Sequence, residues 1–134
     1  VFMGMGEPMM NWPAVDTELT SLNSTQGLGI GARPITVSTV GVLPEIVALG
    51  ERSEQFRLAI SIHAPTDELR RELMPVNIKY PLADVIAQAR SFVGRHHAHC
   101  GIPTAWRFGQ AIFNGETMVG VFYVVALSNL FCEV

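Results

Sequence analysis

Cysteine is almost missing from this chain of 134 residues: Cys100 and Cys132 are the whole supply. Two cysteines are too few for a disulfide scaffold and do not stand at metal-ligand spacing, so a reducing compartment, the cytoplasm by default, is expected. Charge is thin too, at 16% of residues, with 9 Lys+Arg against 12 Asp+Glu. At a net charge of −3 there is no basic stretch that would grip a phosphate backbone. If RNA is the substrate, its basic contacts are expected to lie largely outside this sequence. No apolar run reaches the ~20 residues of a membrane-spanning helix; Met118 to Leu127 reads as a strand, and no membrane partner is expected. A Gly-x-Ser-x-Gly elbow and a Gly-rich loop ending in Gly-Lys-Ser/Thr are both absent, which argues against a hydrolase nucleophile and a P-loop. The sequence starts at Val1 without an initiator methionine or a charged leader. It reads as a fragment, and a lost transit peptide to an organellar stroma or matrix stays open.

What the chain has is apolar, 49% of residues, and ordered in a regular alternation up to about residue 94. Val1 to Met5 reads as a buried strand running into Gly4-Met5-Gly6-Glu7-Pro8. Trp12, Val15, Leu19 and Leu22 recur at helical spacing after an Asn11 N-cap, with Pro13 in the first turn and Gly27-Leu28-Gly29 as the stop. Ile35 to Thr39 is a β-branched second strand, followed by a short helix through Ile46, Val47 and Leu49 that Gly50 closes. Phe56 to His63 is a third strand, and a helix starts at Ala64-Pro65-Thr66 with Asp67 and Glu68 near its positive end. After Pro81 a further helix is expected to bury Leu82, Val85, Ile86, Ala89 and Val93. Short connections of this kind imply parallel strands whose C-terminal ends share one face, with Val1, Val37 and Ile60 packed together in the sheet. Beyond Gly94 the pattern changes: Thr104 to Phe113 and Glu116 to Ala126 are β-rich, joined by Asn114-Gly115, so a hairpin pairing roughly Gln110–Phe113 with Glu116–Val119 is expected.

The ends of the three strands carry the chemistry. Glycines at 4 and 6 allow close approach to backbone, and Glu7 can accept hydrogen bonds from an ammonium or a hydroxyl. Ser38, Ser61 and His63 add hydroxyl and imidazole groups on the same rim. Each has a bland alternative: a glycine turn, a cap hydroxyl, a satisfied partly buried histidine. Ser61 and His63 share a strand face but lack an identifiable third partner, so ligand binding is a better reading than nucleophilic catalysis. His96, His97, His99 and Cys100 could chelate a metal, but with no second cluster they read as a solvated loop, and no metal site is assigned.

With these turns in view, the chain resembles the RlmN family of radical S-adenosylmethionine enzymes, which methylate carbon 2 of an adenine in 23S ribosomal RNA and in transfer RNA. The matching blocks are Phe2 to Pro8 with Asn11, Ile35 to Val42, Leu58 to Pro65 with Asp67-Glu68-Leu69-Arg70, and Pro75 to Leu82, in the family's order and spacing. The resemblance implies an α/β fold, a partial radical-SAM (β/α)6 barrel with parallel strands over 1–93, followed by a divergent β-hairpin-like tail over 94–134. It implies that Gly6, Glu7, Ser38, Ser61, Ile62 and His63 hold S-adenosylmethionine. For the complete enzyme it implies a [4Fe-4S] cluster, a reductant protein, and rRNA and tRNA as partners. In that enzyme the cluster cleaves one S-adenosylmethionine, and the radical formed acts on a methyl group carried by a cysteine. The CxxxCxxC loop and the methyl-carrying cysteine have no match here, so no catalytic residue is assigned and only cofactor positioning is expected of this chain.

Two other readings compete: a noncatalytic adenosine-ligand binding domain completed by the tail, and a nonfunctional truncated or frame-shifted product. One prediction follows from the cysteine count alone. Reconstituted with iron and sulfide without oxygen, the purified chain is expected to hold no [4Fe-4S] cluster, because two cysteines cannot supply the full set of ligands that the family's CxxxCxxC loop provides. A stoichiometric visible absorption band from a bound cluster is the contrary result.

Overall fold

A computed structural model describes residues 1–2, 6–96, 111–114, 117–121 and 124–127. Its frame is a pair of parallel strands, β1 (Thr36–Thr39) and β2 (Arg57–Ser61), in register from Thr36 opposite Arg57 to Thr39 opposite Ile60. Both are short β-branched or aliphatic runs that fit a pleated, buried surface. Phe2 extends the sheet beyond β1 by a parallel bridge to Val37: its N–H donates to the Thr36 carbonyl at 2.8 Å, and the Ser38 N–H donates to its carbonyl at 3.1 Å. Of the first expected strand this bridge is the described part, since residues 3–5 lie outside the described residues. Val1 is 75% exposed, against the expectation that it packs with Val37 and Ile60; only Phe2 is held in the ladder, and Val1 falls beyond it.

Between these strand segments the chain builds helices. A 3-10 turn (Pro8–Asn11) leads into α1 (Trp12–Asn23), with Val15 and Leu19 buried one turn apart. Asn11 occupies the N-cap position but makes no side-chain cap bond. The helix stops at Asn23, ahead of Gly27-Leu28-Gly29. Thr17, Thr20 and Ser21 bond back to the carbonyls of Pro13, Asp16 and Thr17, which weakens a helix locally. The turn from β1 into α2 (Leu43–Glu51) passes through Gly41, and β2 leads through Thr66, whose hydroxyl caps the Leu69 N–H, into α3 (Asp67–Leu73). A second 3-10 turn (Pro75–Ile78) precedes α4 (Leu82–His96), which runs through Gly94 rather than breaking there. Val85, Ala89, Phe92 and Val93 of α4 are buried, whereas Leu82 and Ile86 are only half-buried.

The core gathers Ile35, Val37, Leu58 and Ile60 from one face of the sheet with Met9, Val15 and Leu19 from the N-terminal helical segments and Ile46, Leu49, Val85, Ala89 and Phe92 from α2 and α4. Because strand side chains alternate, the opposite sheet face carries Thr36, Ser38, Arg57, Ala59 and Ser61. The helix-packed face is thus aliphatic and the other small and polar, which sets Ser38 and Ser61 on one side of the sheet.

In the tail, β3 (Ala111–Asn114) pairs antiparallel with β4 (Thr117–Val121), with Phe113 opposite Met118 and Asn114 opposite Thr117. A hairpin forms there as expected, but its register is shifted: Asn114 is in the ladder rather than at the centre of the turn, and the pairing slips between Ile112 and Phe113. Met118 to Leu127, expected as a strand, falls across two, and β5 (Val124–Leu127) joins the open edge of β2 antiparallel, from Leu58 opposite Leu127 to Ser61 opposite Val124. An unpaired edge is a liability, and this addition satisfies it. The sheet order is therefore β1-β2-β5. Among the described residues no helix is long and apolar enough to cross a membrane.

Gly41 holds the tightest turn. Its φ is +105°, and a Cβ placed there would lie 2.8 Å from Cγ2 of Val85 in α4. Replacing it with alanine combines a disfavoured backbone with overpacking, each worth about 1–3 kcal/mol. Gly41→Ala is expected to lower the unfolding free energy by at least about 2 kcal/mol in denaturant titrations; a change within error would show that the turn relaxes freely.

Candidate adenosine-ligand rim

The rim starts at Glu7. Gly6 just before it has φ +98°, a conformation glycine tolerates, and a Cβ at that position would meet none of the described residues within 4 Å. The backbone there is open to close approach. Both oxygens of the Glu7 carboxylate are engaged: Oε1 accepts from the Met9 N–H at 3.0 Å, capping the 3-10 turn, and Oε2 accepts from the Val40 N–H at 2.8 Å. Glu7 therefore ties the Gly-Glu-Pro turn to the first residue after β1.

On its other side Val40 meets Arg70. This arginine is fully buried, and its guanidinium bonds the carbonyl of Val40 through Nη2, the carbonyl of Ile62 through Nε at 2.9 Å, and Oδ1 of Asn77 and the carbonyl of Tyr80 (3.3 Å) through Nη1. Val40 and Ile62 each follow directly on the end of a parallel strand. Burial pushes the Arg70 pKa down, while the charge of nearby Asp67 raises it. Asn77 is buried as well; its amide donates to Oδ1 of Asp67 at 2.7 Å, and that same oxygen accepts the Leu82 N–H at 2.8 Å at the start of α4. Thr39 completes the turn, its Oγ1 accepting from the N–H groups of Gly41 and Val42 at 3.1 and 3.4 Å.

Ile62 and His63 lie beyond β2, which ends at Ser61, two residues earlier than expected. The alternation that would put Ser61 and His63 on one strand face stops there. Instead His63 takes φ +65°, in the left-handed region, and its Nδ1 sits 3.1 Å from the Ser61 carbonyl oxygen. A carbonyl oxygen only accepts, so that contact places the proton on Nδ1. Ser38 is buried in β1 opposite Ala59, and Ser61 is half-buried at the end of β2, both on the small, polar face of the sheet.

A run of hydrogen bonds thus leads from Glu7 through Val40 and Arg70 to Ile62, with Ser61 and His63 flanking Ile62 in the chain and in contact with each other, and Ser38 one position inside the end of β1. Arg70, Asn77 and the main chain of Val40 hold that run together, and no functional role was assigned to them from sequence. The composition of α3, Asp-Glu-Leu-Arg-Arg-Glu-Leu, gives little sign of this: in the structure Leu73 is 55% exposed, and the residue that packs inward is Arg70.

Hydroxyls at Ser38 and Ser61 can donate and accept hydrogen bonds and the Gly6 carbonyl can accept one from an ammonium, whereas Ile62 is partly buried against the core. A [4Fe-4S] cluster is a different matter: Cys100 and Cys132 are the chain's only cysteines and lie outside the described residues, so the residues present do not fit that group. His97 and His99 also lie outside the described residues, so the metal reading of that cluster stays with the sequence.

No protein-family model matches the chain. A probable dual-specificity RNA methyltransferase RlmN from Gemmatimonas aurantiaca is 75% identical over 92 residues, 69% of this chain and 26% of that protein. A dual-specificity RNA methyltransferase RlmN from Phenylobacterium zucineum is 51% identical over 94 residues, 70% of this chain and 24% of the relative. The crystal structure of a radical SAM methyltransferase from Sphaerobacter thermophilus aligns with TM-score 0.67 at 45% identity, covering 70% of this chain and 28% of the other. The chain spans about a quarter of the length of the curated relatives it matches.

Asp67 gives the rim a pH signature. Its carboxyl is held below the usual aspartate range, first by the Leu82 N–H and then by the Asn77 amide. A depressed folded-state pKa stabilises the fold above the ordinary aspartate value of about 3.9 and loses that contribution as pH falls through the folded-state pKa. Wild type is therefore expected to lose stability below about pH 4 more steeply than Asp67→Asn, with the variant the less stable of the two at neutral pH. Parallel curves of unfolding free energy against pH would refute this assignment.

Proposed function

The part of this chain that the relatives match is RlmN-type, and from that premise we propose that it forms the S-adenosylmethionine-binding rim of a radical SAM RNA methyltransferase acting on carbon 2 of adenine in 23S rRNA and tRNA. Gly6, Glu7, Ser38, Ser61, Ile62 and His63 hold the cofactor, residues 1–93 form the partial barrel core, and 94–134 form the tail. The reading rests on one observation above all: the turn after the first strand segment, the end of β1 and the end of β2 are bonded into a single rim through Glu7, Val40, Arg70 and Ile62. In parallel α/β sheets such strand ends are where ligands bind. Bound S-adenosylmethionine supplies the methyl group and the radical chemistry of such an enzyme. This chain's own residues position it: Glu7 fixes the Gly-Glu-Pro turn, the serines orient polar groups, and Ile62 and His63 close the rim beside β2. RNA and a reductant are the proposed partners of the complete enzyme, and the cytoplasm its setting. No step is assigned to the iron–sulfur group, whose ligands this chain does not supply.

Grafting gives the decisive test. Residues 1–93 are exchanged for the matching stretch of a complete RlmN-type enzyme, and the adenine product in RNA is read by mass spectrometry. Methylation at carbon 2 is expected, and Ser61→Ala in the graft is expected to reduce S-adenosylmethionine affinity by about threefold to thirtyfold, the loss of one ligand hydrogen bond. A folded graft that binds no S-adenosylmethionine rejects the reading.

A further inference from the structure

We propose that Arg70 is the positioning residue of this rim, and that it sets the ligand site through two main-chain carbonyls without touching the ligand. The proposal rests on the reading of the rim as an S-adenosyl site. Val40 and Ile62 are 22 residues apart in sequence and follow adjacent parallel strands. Beyond a strand end no ladder bond fixes their spacing. Arg70 supplies it, with Nη2 on the Val40 carbonyl and Nε on the Ile62 carbonyl. A guanidinium is planar and its donors are rigidly spaced, so the two carbonyls are held at a separation fixed by covalent geometry. Ile62 stands between Ser61 and left-handed His63, and Val40 is held on its N–H side by Glu7. One side chain thus orients every assigned element of the rim except Gly6 and Ser38.

Arg70 is itself anchored. Nη1 is held by Asn77 and Tyr80, and Asn77 is held by Asp67, so the guanidinium plane is set from the side away from the rim. Lysine at this position keeps the charge but places its three donors on one freely rotating nitrogen, so the fixed spacing of the planar fork is lost. Arg52 is a contrasting case of similar size. It bonds Asp16, Thr20 and Glu54 between the end of α2 and α1, near the start of β2 and away from the rim.

The test compares Arg70→Lys, Asn77→Ala and Arg52→Lys in the whole chain, with three readouts: calorimetric titration with S-adenosylhomocysteine, thermal unfolding, and backbone amide spectra without ligand. Arg70→Lys is expected to weaken binding about tenfold or more, about 1.4 kcal/mol, while Arg52→Lys lowers the melting temperature with unchanged affinity. Should Arg70→Lys fail to fold, Asn77→Ala leaves the charge in place and is expected to give the same loss at smaller amplitude. Equal affinity in wild type and both rim variants overturns the proposal, as does a loss in Arg52→Lys that tracks its loss of stability. Absence of saturable binding by wild type sinks the S-adenosyl reading instead. Positioning is then judged from the amides of Gly41, Ile62 and His63: their shifts move in Arg70→Lys and not in Arg52→Lys if Arg70 sets the rim, and stay in place if it does not.

Discussion

A buried guanidinium that is bonded, among the described residues, to neutral oxygens and not to a carboxylate is the constraint on which the rim of this protein depends. Removing a charge from water costs several kcal/mol, and that cost is recovered only when its donors are satisfied. Arg70 meets this with four bonds to neutral oxygens, each worth about 1.5–3 kcal/mol when one partner is charged. The geometry then runs in both directions. The carbonyls must converge to keep the arginine buried, and the buried arginine keeps them converged. Loss of either side leaves an uncompensated charge or orphaned carbonyls at the ends of two central strands.

The network around it divides the labour by element. Thr39 closes the turn after β1, Glu7 ties that turn to the N-terminal segment, Asp67 begins α4 while steadying Asn77, and Asn77 steadies Arg70. Thr39, Glu7 and Asp67 each satisfy backbone N–H groups at the starts of helices or just past strand ends, which is what strand-to-helix junctions require. At the other end of the sheet the logic differs. Arg52 pairs with Asp16 and Glu54, bonds Thr20, and lies over the Phe56 ring, with its centroid 5.2 Å away; these carboxylates raise its pKa against the lowering effect of burial. Partly buried charge is balanced there by charge, whereas at the rim fully buried charge is bonded to neutral dipoles.

The alternation of helix and strand was legible because apolar spacing carries it: Val15 and Leu19 for α1, the β-branched Thr36 to Thr39 run for β1, Val85 and Ala89 for α4. Boundaries read less well where polar side chains intervene. Hydroxyls bonding back along α1 end it before its glycines, and the left-handed turn at His63 ends β2 early. The tail hairpin was visible in Asn114-Gly115, but its register was not, since a slip between Ile112 and Phe113 depends on the partner strand and not on the dipeptide. Nor was the docking of β5 on β2, a contact between residues far apart in sequence. At the site, the residue types at the strand ends were readable, while the group that spaces them was hidden. An arginine in a short charged helix resembles solvated surface until the chain is folded around it.

The same geometry revises what the rim carboxylate does. From sequence, Glu7 is a candidate acceptor for a ligand's ammonium or hydroxyl. In the fold, each of its oxygens already accepts one backbone N–H. A carboxylate has about four lone-pair positions, so capacity for a ligand remains, but its direction is fixed by the two bonds already made. Such prior bonding lowers the entropy lost when a ligand arrives, because the side chain is ordered before binding. The Gly6 backbone complements this: it presents open main chain beside a carboxylate that cannot swing away. Glu7 and Arg70 thereby act on the two sides of one residue, Val40, the carboxylate on its N–H and the guanidinium on its carbonyl, so both polar groups of the first residue past β1 are held by side chains from elsewhere in the chain.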